Sequence, residues 1–199
     1  ADLGLTEMPP EGFRFDSPFV DASTKYEEFD RYPGWAELQR LSGLSNEELD
    51  ALKRYVLAAN DIITEGMKRA GFVNEDGKFE LAFDEERRLM VVDTVGTLDE
   101  CRFTYEGVDA SKQIPRDYYK ATQPEWVAEI ETAKKSDKKK WKSLVTARPE
   151  PLPASLKGIL EHLYPAVANA VLDRKLFSGA PSVDEVIGEY EKFKAAEMS

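Results

Sequence analysis

The stretch that most limits what this chain can fold into is LSNEELDALKRYVLAANDIITEGMKRAGF, residues 44–72. Ser45 followed three positions later by Glu48 is the pattern of a capping box, which satisfies the first free N–H groups of a helix. Leu49, Leu52, Val56, Ala59, Ile63 and Met67 then recur at steps of three and four, so they share one helical face. Gly71 supplies a residue that tolerates left-handed backbone at the helix end. The spacing predicts a helix over 45–70 whose apolar stripe must be covered. Next come two β-prone runs, KFELAF and RLMVVDTV, separated by the charged turn DEER. They read as an antiparallel hairpin, braced by the long helix. The predicted class is α+β, an antiparallel sheet with helices packed on one side.

The hairpin carries an anomaly. With residues 85–88 as the loop, Glu80 stands directly across from Asp93, and like charges facing each other on a sheet cost up to about 1 kcal/mol. Alternatively one of the two raises its pKa, unless something positive lies between them. Mg2+ is the natural candidate, since it takes oxygen ligands, commonly one or two carboxylates, and completes its shell with water and phosphate. Other accounts of Asp93 are an edge position on the sheet or pairing with an arginine such as Arg102. A register shifted by one residue would send the two carboxylates to opposite faces.

The chain is expected to form a single domain over 1–199. Residues 1–44 are an irregular entry segment with a short helix, punctuated by MPPEG and RYPGW. Residues 45–120 hold the helix, the hairpin with the candidate metal carboxylates and a polar loop, and 121–199 are helical. In that last part a break is expected near Pro124, and helices over roughly 153–177 and 182–196. Ser182 and Glu185 form a second capping box, and Val183, Val186, Ile187, Tyr190 and Phe193 are packing surface. The basic run AKKSDKKKWK reads as a solvated face.

A net charge of −11 opposes broad attraction to nucleic acid or an anionic membrane surface. No segment reaches the roughly 18 apolar residues of a membrane span, and no basic-then-apolar leader is present. One cysteine, Cys101, gives no internal disulfide and suits a reducing cytoplasm, and the single histidine, His162, leaves no ready Cys-His or Ser-His pair. The chain opens on Ala1, which suggests processing or a fragment.

Four stretches together resemble the phosphoribosylaminoimidazole-succinocarboxamide synthase (SAICAR synthetase) family. DGKFELAF is similar to its Asp-x-Lys-x-Glu-Phe-Gly strand through Asp76, Lys78 and Glu80, with Leu81-Ala82 in place of Phe-Gly. VVDTVGTLDECRF resembles the following Asp-Glu strand and Ser-Arg-Phe turn through Asp93 and Arg102, with Thr94 where the family has Glu. SKQIPRDYY matches the Lys-Gln-x-x-Arg-Asp-Tyr segment through Lys112, Gln113, Arg116, Asp117 and Tyr118, with Ser111 where many members have Asp. STKYEEFD resembles the Ser-Thr-Lys element, giving Lys25 and Asp30 at a step one residue shorter than usual.

The resemblance implies an ATP-grasp-like core and an ATP-dependent ligase of purine biosynthesis. In the family ATP phosphorylates the carboxylate of carboxyaminoimidazole ribonucleotide, and the amine of L-aspartate attacks the acyl phosphate to give an amide, ADP and phosphate. It implies Glu80 and Asp93 as Mg2+ ligands, with Lys25 on the nucleotide. Arg102, Lys112 and Arg116 are implied on anionic substrate groups, and Asp30 in orienting the attacking amine. Lys112, Arg116 and Asp30 are the implied catalytic set. The family's amino-terminal, mostly β lobe has no counterpart here. The 12 glycines include no G-x-G-x-x-G and no G-x-x-x-x-G-K-[ST] to cradle a triphosphate. The chain therefore reads as the carboxy-terminal part of such an enzyme, a fragment or one subunit of a split one, poorly active alone. It is expected in the cytoplasm, with small-molecule substrates and neither nucleic acid nor membrane as partners. Homo-oligomerisation and association with a missing amino-terminal lobe both stay open. The alternative is a non-catalytic nucleotide-binding fragment or regulatory module of the same fold.

Overall fold

In the computed structural model, which describes residues 7–10, 12–25, 27 and 30–198, Ser45 caps helix α2 (Asn46–Arg69) as its spacing predicts. Its hydroxyl accepts from Glu48 N at 3.2 Å, and Glu48 Oε2 accepts from Ser45 N at 2.8 Å. Such a cap contributes about 1 kcal/mol. Glu48 does a second job, accepting from Arg87 Nε at 2.8 Å and so reaching the hairpin loop. Gly71 follows the helix with φ +86°. The turn run MPPEG includes Glu11, and the Lys25–Asp30 step spans Tyr26, Glu28 and Phe29; these four lie outside the described residues, as do 1–6 and 199. A short helix, α1 (Trp35–Ser42), precedes α2.

Strand β1 (Phe72–Gly77) begins directly after α2 and was not expected from the sequence. Its Asn, Glu, Asp and Gly are depleted in strands, and tertiary pairing overrides that preference. The partner is β4 (Cys101–Tyr105), antiparallel from Phe72↔Tyr105 to Gly77↔Cys101, with an irregularity between Asn74 and Asp76. β4 turns through Glu106 (φ 50°) and Gly107 (φ 82°) into β5 (Val108–Asp109), completing a three-stranded sheet ordered β1-β4-β5. Two successive positive-φ residues are the requirement of a tight type I′ hairpin turn.

The predicted hairpin is a separate two-stranded sheet, β2 (Leu81–Phe83) with β3 (Leu89–Val91). The long helix packs on β1, so its bracing of the hairpin passes through Glu48 and Arg87. Beyond β5 lie α3 (Gln113–Thr122), α4 (Pro124–Ser136), α5 (Trp141–Leu144), α6 (Ala154–Val171) and α7 (Val183–Glu197). Pro124 opens α4, where the missing N–H costs nothing. Helix α6 stops six residues short of its predicted end, and the chain turns at Asp173 (φ 47°). The second capping box, Ser182 with Glu185, forms as predicted.

One core joins the three-stranded sheet to α2, α3, α6 and α7. Phe72, Cys101 and Phe103 from the strands meet Met67, Ile114, Leu156, Leu163, Val186 and Tyr190, all buried. The predicted packing face of α7 is buried at every position named, Val183, Val186, Ile187, Tyr190 and Phe193. This α+β arrangement fixes β1 and β4, and through them the chain that runs on into β2 and α3. Among the described residues no helix is long and apolar enough to cross a membrane.

Candidate active site

The hairpin register differs from the expected one by a residue. Asp84 leaves the ladder because its side chain closes the turn: Oδ1 accepts from Arg88 N at 2.7 Å, and Asp84 N donates to Arg88 O at 3.0 Å. Arg87 takes the left-handed conformation (φ 60°) inside this loop. The loop therefore runs 84–88, and the pairs are Phe83↔Leu89, Ala82↔Met90 and Leu81↔Val91. Val92 N then donates to Glu80 O at 3.0 Å, which puts Val92, not Asp93, opposite Glu80. Asp93 falls in a bend past the end of β3, is exposed, and accepts from Thr94 N at 2.8 Å. The like-charge facing pair of the predicted register is thus absent, and the pleat no longer dictates where Asp93 points.

Glu80 is not alone at the hairpin mouth. Lys78 Nζ lies 3.0 Å from its Oε1, and Lys25 is ion-paired with its Oε2. Lys25 comes from the entry segment, in a loop closed where Thr24 N donates to Arg31 O at 2.9 Å and Arg31 N donates to Thr24 Oγ1 at 3.2 Å. That closure brings the predicted nucleotide lysine onto the predicted metal carboxylate across 55 residues of sequence. Asp30, at the far end of the same loop, is exposed.

Asp76 and Arg102 form the second focus, paired across β1 and β4. Arg102 Nε donates to both Asp76 oxygens, at 2.9 and 3.0 Å, and its terminal nitrogen also engages Oδ2. The Arg102 hydrogen bonds hold the Asp76 carboxyl below the usual carboxylate range, helped by the positive charges of Arg102 and Lys112. Arg102 is raised in turn by Asp76. Lys112 is half-buried at the start of α3, anchored where its N–H donates to Leu98 O at 3.0 Å. Arg116, one turn on, is exposed. Lys78 N donates to Glu100 O at 3.2 Å, so the strand carrying Asp76 runs straight to Lys78 and Glu80 and links the two foci.

Sequence reasoning gave Lys78 and Asp76 as motif matches but did not assign them to the site; the cue was their spacing, since alternate residues from Asp76 to Glu80 carry charge. It missed two other features. Tyr164 on α6 donates to Asp99 Oδ1 at 2.7 Å, tying that helix to the turn that leads into β4. Asp109 lies beside Asp117, and burial together with that second negative charge raises its pKa. The first joins residues 65 apart, and the second depends on the turn from β5 into α3, so neither follows from a helix or strand period.

A metal here would find few protein donors. No group of three or more His, Cys, Asp or Glu side chains is placed to hold an ion among the described residues. Both oxygens of Glu80 carry an ammonium, whereas Asp93 is open to solvent. Two carboxylates at one hairpin mouth suit a hard cation that draws most of its shell from water and phosphate, and do not suit a closed structural site.

A sequence profile of the SAICAR synthetase family matches residues 4–137. A provisionally named phosphoribosylaminoimidazole-succinocarboxamide synthase of Archaeoglobus fulgidus is 44% identical over 191 residues, which cover 96% of this chain and 56% of the relative. A SAICAR synthetase from Pyrococcus horikoshii OT3 superposes with a TM-score of 0.56 at 18% identity, over 84% of this chain and 57% of that one. A SAICAR synthetase solved in complex with ADP gives 0.52 at 24% identity, over 58% and 50%. These likenesses establish the fold. The chain spans about half the length of the curated relatives it matches, from 43% to 56%.

Proposed function

The chain belongs to the SAICAR synthetase family, and from that premise we propose that it forms the metal- and substrate-binding part of an ATP-dependent ligase of purine biosynthesis. The reaction is amide formation: the carboxylate of carboxyaminoimidazole ribonucleotide takes the γ-phosphoryl group of ATP, and L-aspartate's amine displaces phosphate. The observation that carries the proposal is the charge arrangement around β1 and the hairpin. Cations from three separate segments, Lys25, Arg102 and Lys112, converge on two carboxylates, Glu80 and Asp76, spaced along one stretch of chain.

Each residue then has a task that its position allows. Lys25 and Lys78, half-exposed and paired with Glu80, bind nucleotide phosphate as point charges. Glu80 and Asp93 would hold Mg2+, which when bound neutralises charge developing on the transferring phosphoryl oxygens. Arg102, its Nε and one terminal nitrogen held by Asp76, presents its remaining N–H groups to a ribonucleotide phosphate or substrate carboxylate. Lys112 adds positive charge beside it, and exposed Arg116 closes on substrate from α3. Asp30, exposed beyond the Lys25 loop, accepts hydrogen bonds from the aspartate amine and orients it for attack. Phosphoryl transfer needs positioning and positive charge more than covalent help from the protein, and this set of groups supplies both.

The test is ATP- and Mg2+-dependent amide formation by the protein carrying this chain. Glu80→Gln and Asp93→Asn should each lower kcat/KM by at least about a hundredfold, the loss usual for a group that stabilises a phosphoryl transition state. An unchanged rate in both removes their metal role.

A second reading is a non-catalytic nucleotide-binding module of the same fold, in which Lys25 and Lys78 beside Glu80 hold phosphate without turnover. Calorimetry with the ribonucleotide, ATP and Mg2+ separates the two, since the module binds ligand without turnover.

A further inference from the structure

Both oxygens of Glu80 already carry an ammonium. One oxygen carries Lys78 at 3.0 Å and the other carries Lys25, while the Glu80 side chain is only 13% exposed. Both lysine side chains are 54% exposed, so their ammonium ends can swing into solvent without disturbing the core. They come from independent places, one from the Thr24–Arg31 loop and one from the segment that enters β2. A divalent cation approaching Glu80 alone meets two like charges already paired with its oxygens, so Coulomb repulsion opposes its entry. A polyphosphate meets the opposite situation, two ammonium groups tied to a single carboxylate. When it draws the lysines away, Glu80 loses both of its ion-pair partners, and a cation then meets a carboxylate whose charge is no longer compensated.

We propose that Glu80 is an exchange carboxylate: Lys25 and Lys78 lock it in the ligand-free chain, and it passes to a divalent cation only as a polyphosphate takes the two lysines. The exchange rests on the metal role given to Glu80 above and adds to it an order of events. Thermodynamic reciprocity follows: whatever factor the polyphosphate adds to cation affinity, the cation adds to polyphosphate affinity. Neither ligand alone binds as well as its contacts suggest, because each must first break the lysine lock.

The experiment uses two binding measurements that need no turnover. Mn2+ binding to the chain without nucleotide is followed by loss of the free-ion electron paramagnetic resonance signal, and ADP binding in excess EDTA is followed by calorimetry. Lys25→Met and Lys78→Met should each tighten Mn2+ binding about tenfold, the effect of removing one nearby positive charge at a half-exposed site. Glu80→Gln should abolish Mn2+ binding yet tighten metal-free ADP binding about tenfold, because its lysines are released in advance. A residue with a merely structural role would not move the two affinities in opposite directions. Lys25→Gln repeats the first arm should the methionine variant melt early. Lysine variants that leave Mn2+ affinity unchanged or weaker, or Glu80→Gln with unchanged ADP affinity, overturn the exchange while the metal role stands. Mn2+ binding that survives Glu80→Gln, or is undetectable in every form, removes the metal role and the exchange together.

Discussion

Arg102 and Asp76 are cross-strand partners whose side chains close a fork, with Nε donating to both carboxylate oxygens at 2.9 and 3.0 Å. The pair sits where β1 leaves the core and runs toward Glu80, so it fixes both the arginine and the exit path of the strand. Side-chain exposures of 46% and 48% mean that solvent screens it, and Asp76→Asn is expected to cost about 1 kcal/mol or less. The Asp76 carboxyl is depressed below its unfolded value, so its contribution is present above the unfolded pKa and is lost as pH falls through the folded one. Thermal melts of wild type and Asp76→Asn should therefore converge as pH is lowered toward about 2. A constant gap between them contradicts this account of the fork.

Gly77 and Cys101 form the tightest packing point of the β1–β4 pair. A Cβ at residue 77 would come 2.8 Å from Cys101 Sγ, and Cys101 is fully buried. Gly77→Ala is expected to destabilise the fold by about 1–3 kcal/mol through overpacking. Adding Cys101→Ala should recover part of that loss, giving a favourable coupling of at least about 0.5 kcal/mol in a denaturant double-mutant cycle. Strict additivity would show that the strain lies elsewhere.

Tyr164 holds the turn before β4 through its 2.7 Å bond to Asp99, and burial together with that bond pushes its pKa up to about 12. Tyr164→Phe should cost about 0.5–1.5 kcal/mol. In the protein whose Asp99 is already Asn, the same change should cost less, because the charged acceptor is gone. Urea unfolding of the four forms decides this, and equal costs in both backgrounds contradict the bond's role.

Asp109, raised by burial and by the neighbouring charge of Asp117, works in the opposite sense to Asp76. A carboxyl whose folded pKa is raised contributes stability below its unfolded pKa and loses it as pH rises through the folded pKa. The groups facing it are Asp117 on α3, Lys194 and Tyr190 on α7, and Arg102 on β4. Asp109→Asn is expected to be more stable than wild type at neutral pH, with the advantage shrinking as pH falls below the folded pKa. Equal stability at neutral pH would show that Lys194 and Arg102 already offset the charge.

Features set by local pattern were legible in the sequence: the α2 stripe, both capping boxes, the Pro124 break and the α7 packing face. Each depends on residues within a few positions of one another. The failures all come from long-range or turn chemistry. β1 forms because β4 pairs with it, against the preference of Asn74, Glu75, Asp76 and Gly77. The hairpin register moved by one residue because the Asp84 side chain closes the loop, and pleat counting cannot see that. The site residues were named from motif spacing, but the Lys25–Glu80 contact and the Asp76–Arg102 fork require the folded chain to bring them together. Asp93 lost the facing position assigned to it, because Val92 came opposite Glu80 instead.

In the proposed reaction the protein joins its substrates through phosphoryl transfer to the ribonucleotide carboxylate. The most direct measurement supplies carboxyaminoimidazole ribonucleotide labelled with 18O in that carboxylate, together with ATP, Mg2+ and L-aspartate, and follows the label by mass spectrometry of the released phosphate. One labelled oxygen in phosphate for each amide formed is the predicted result. Amide formed with unlabelled phosphate would contradict it.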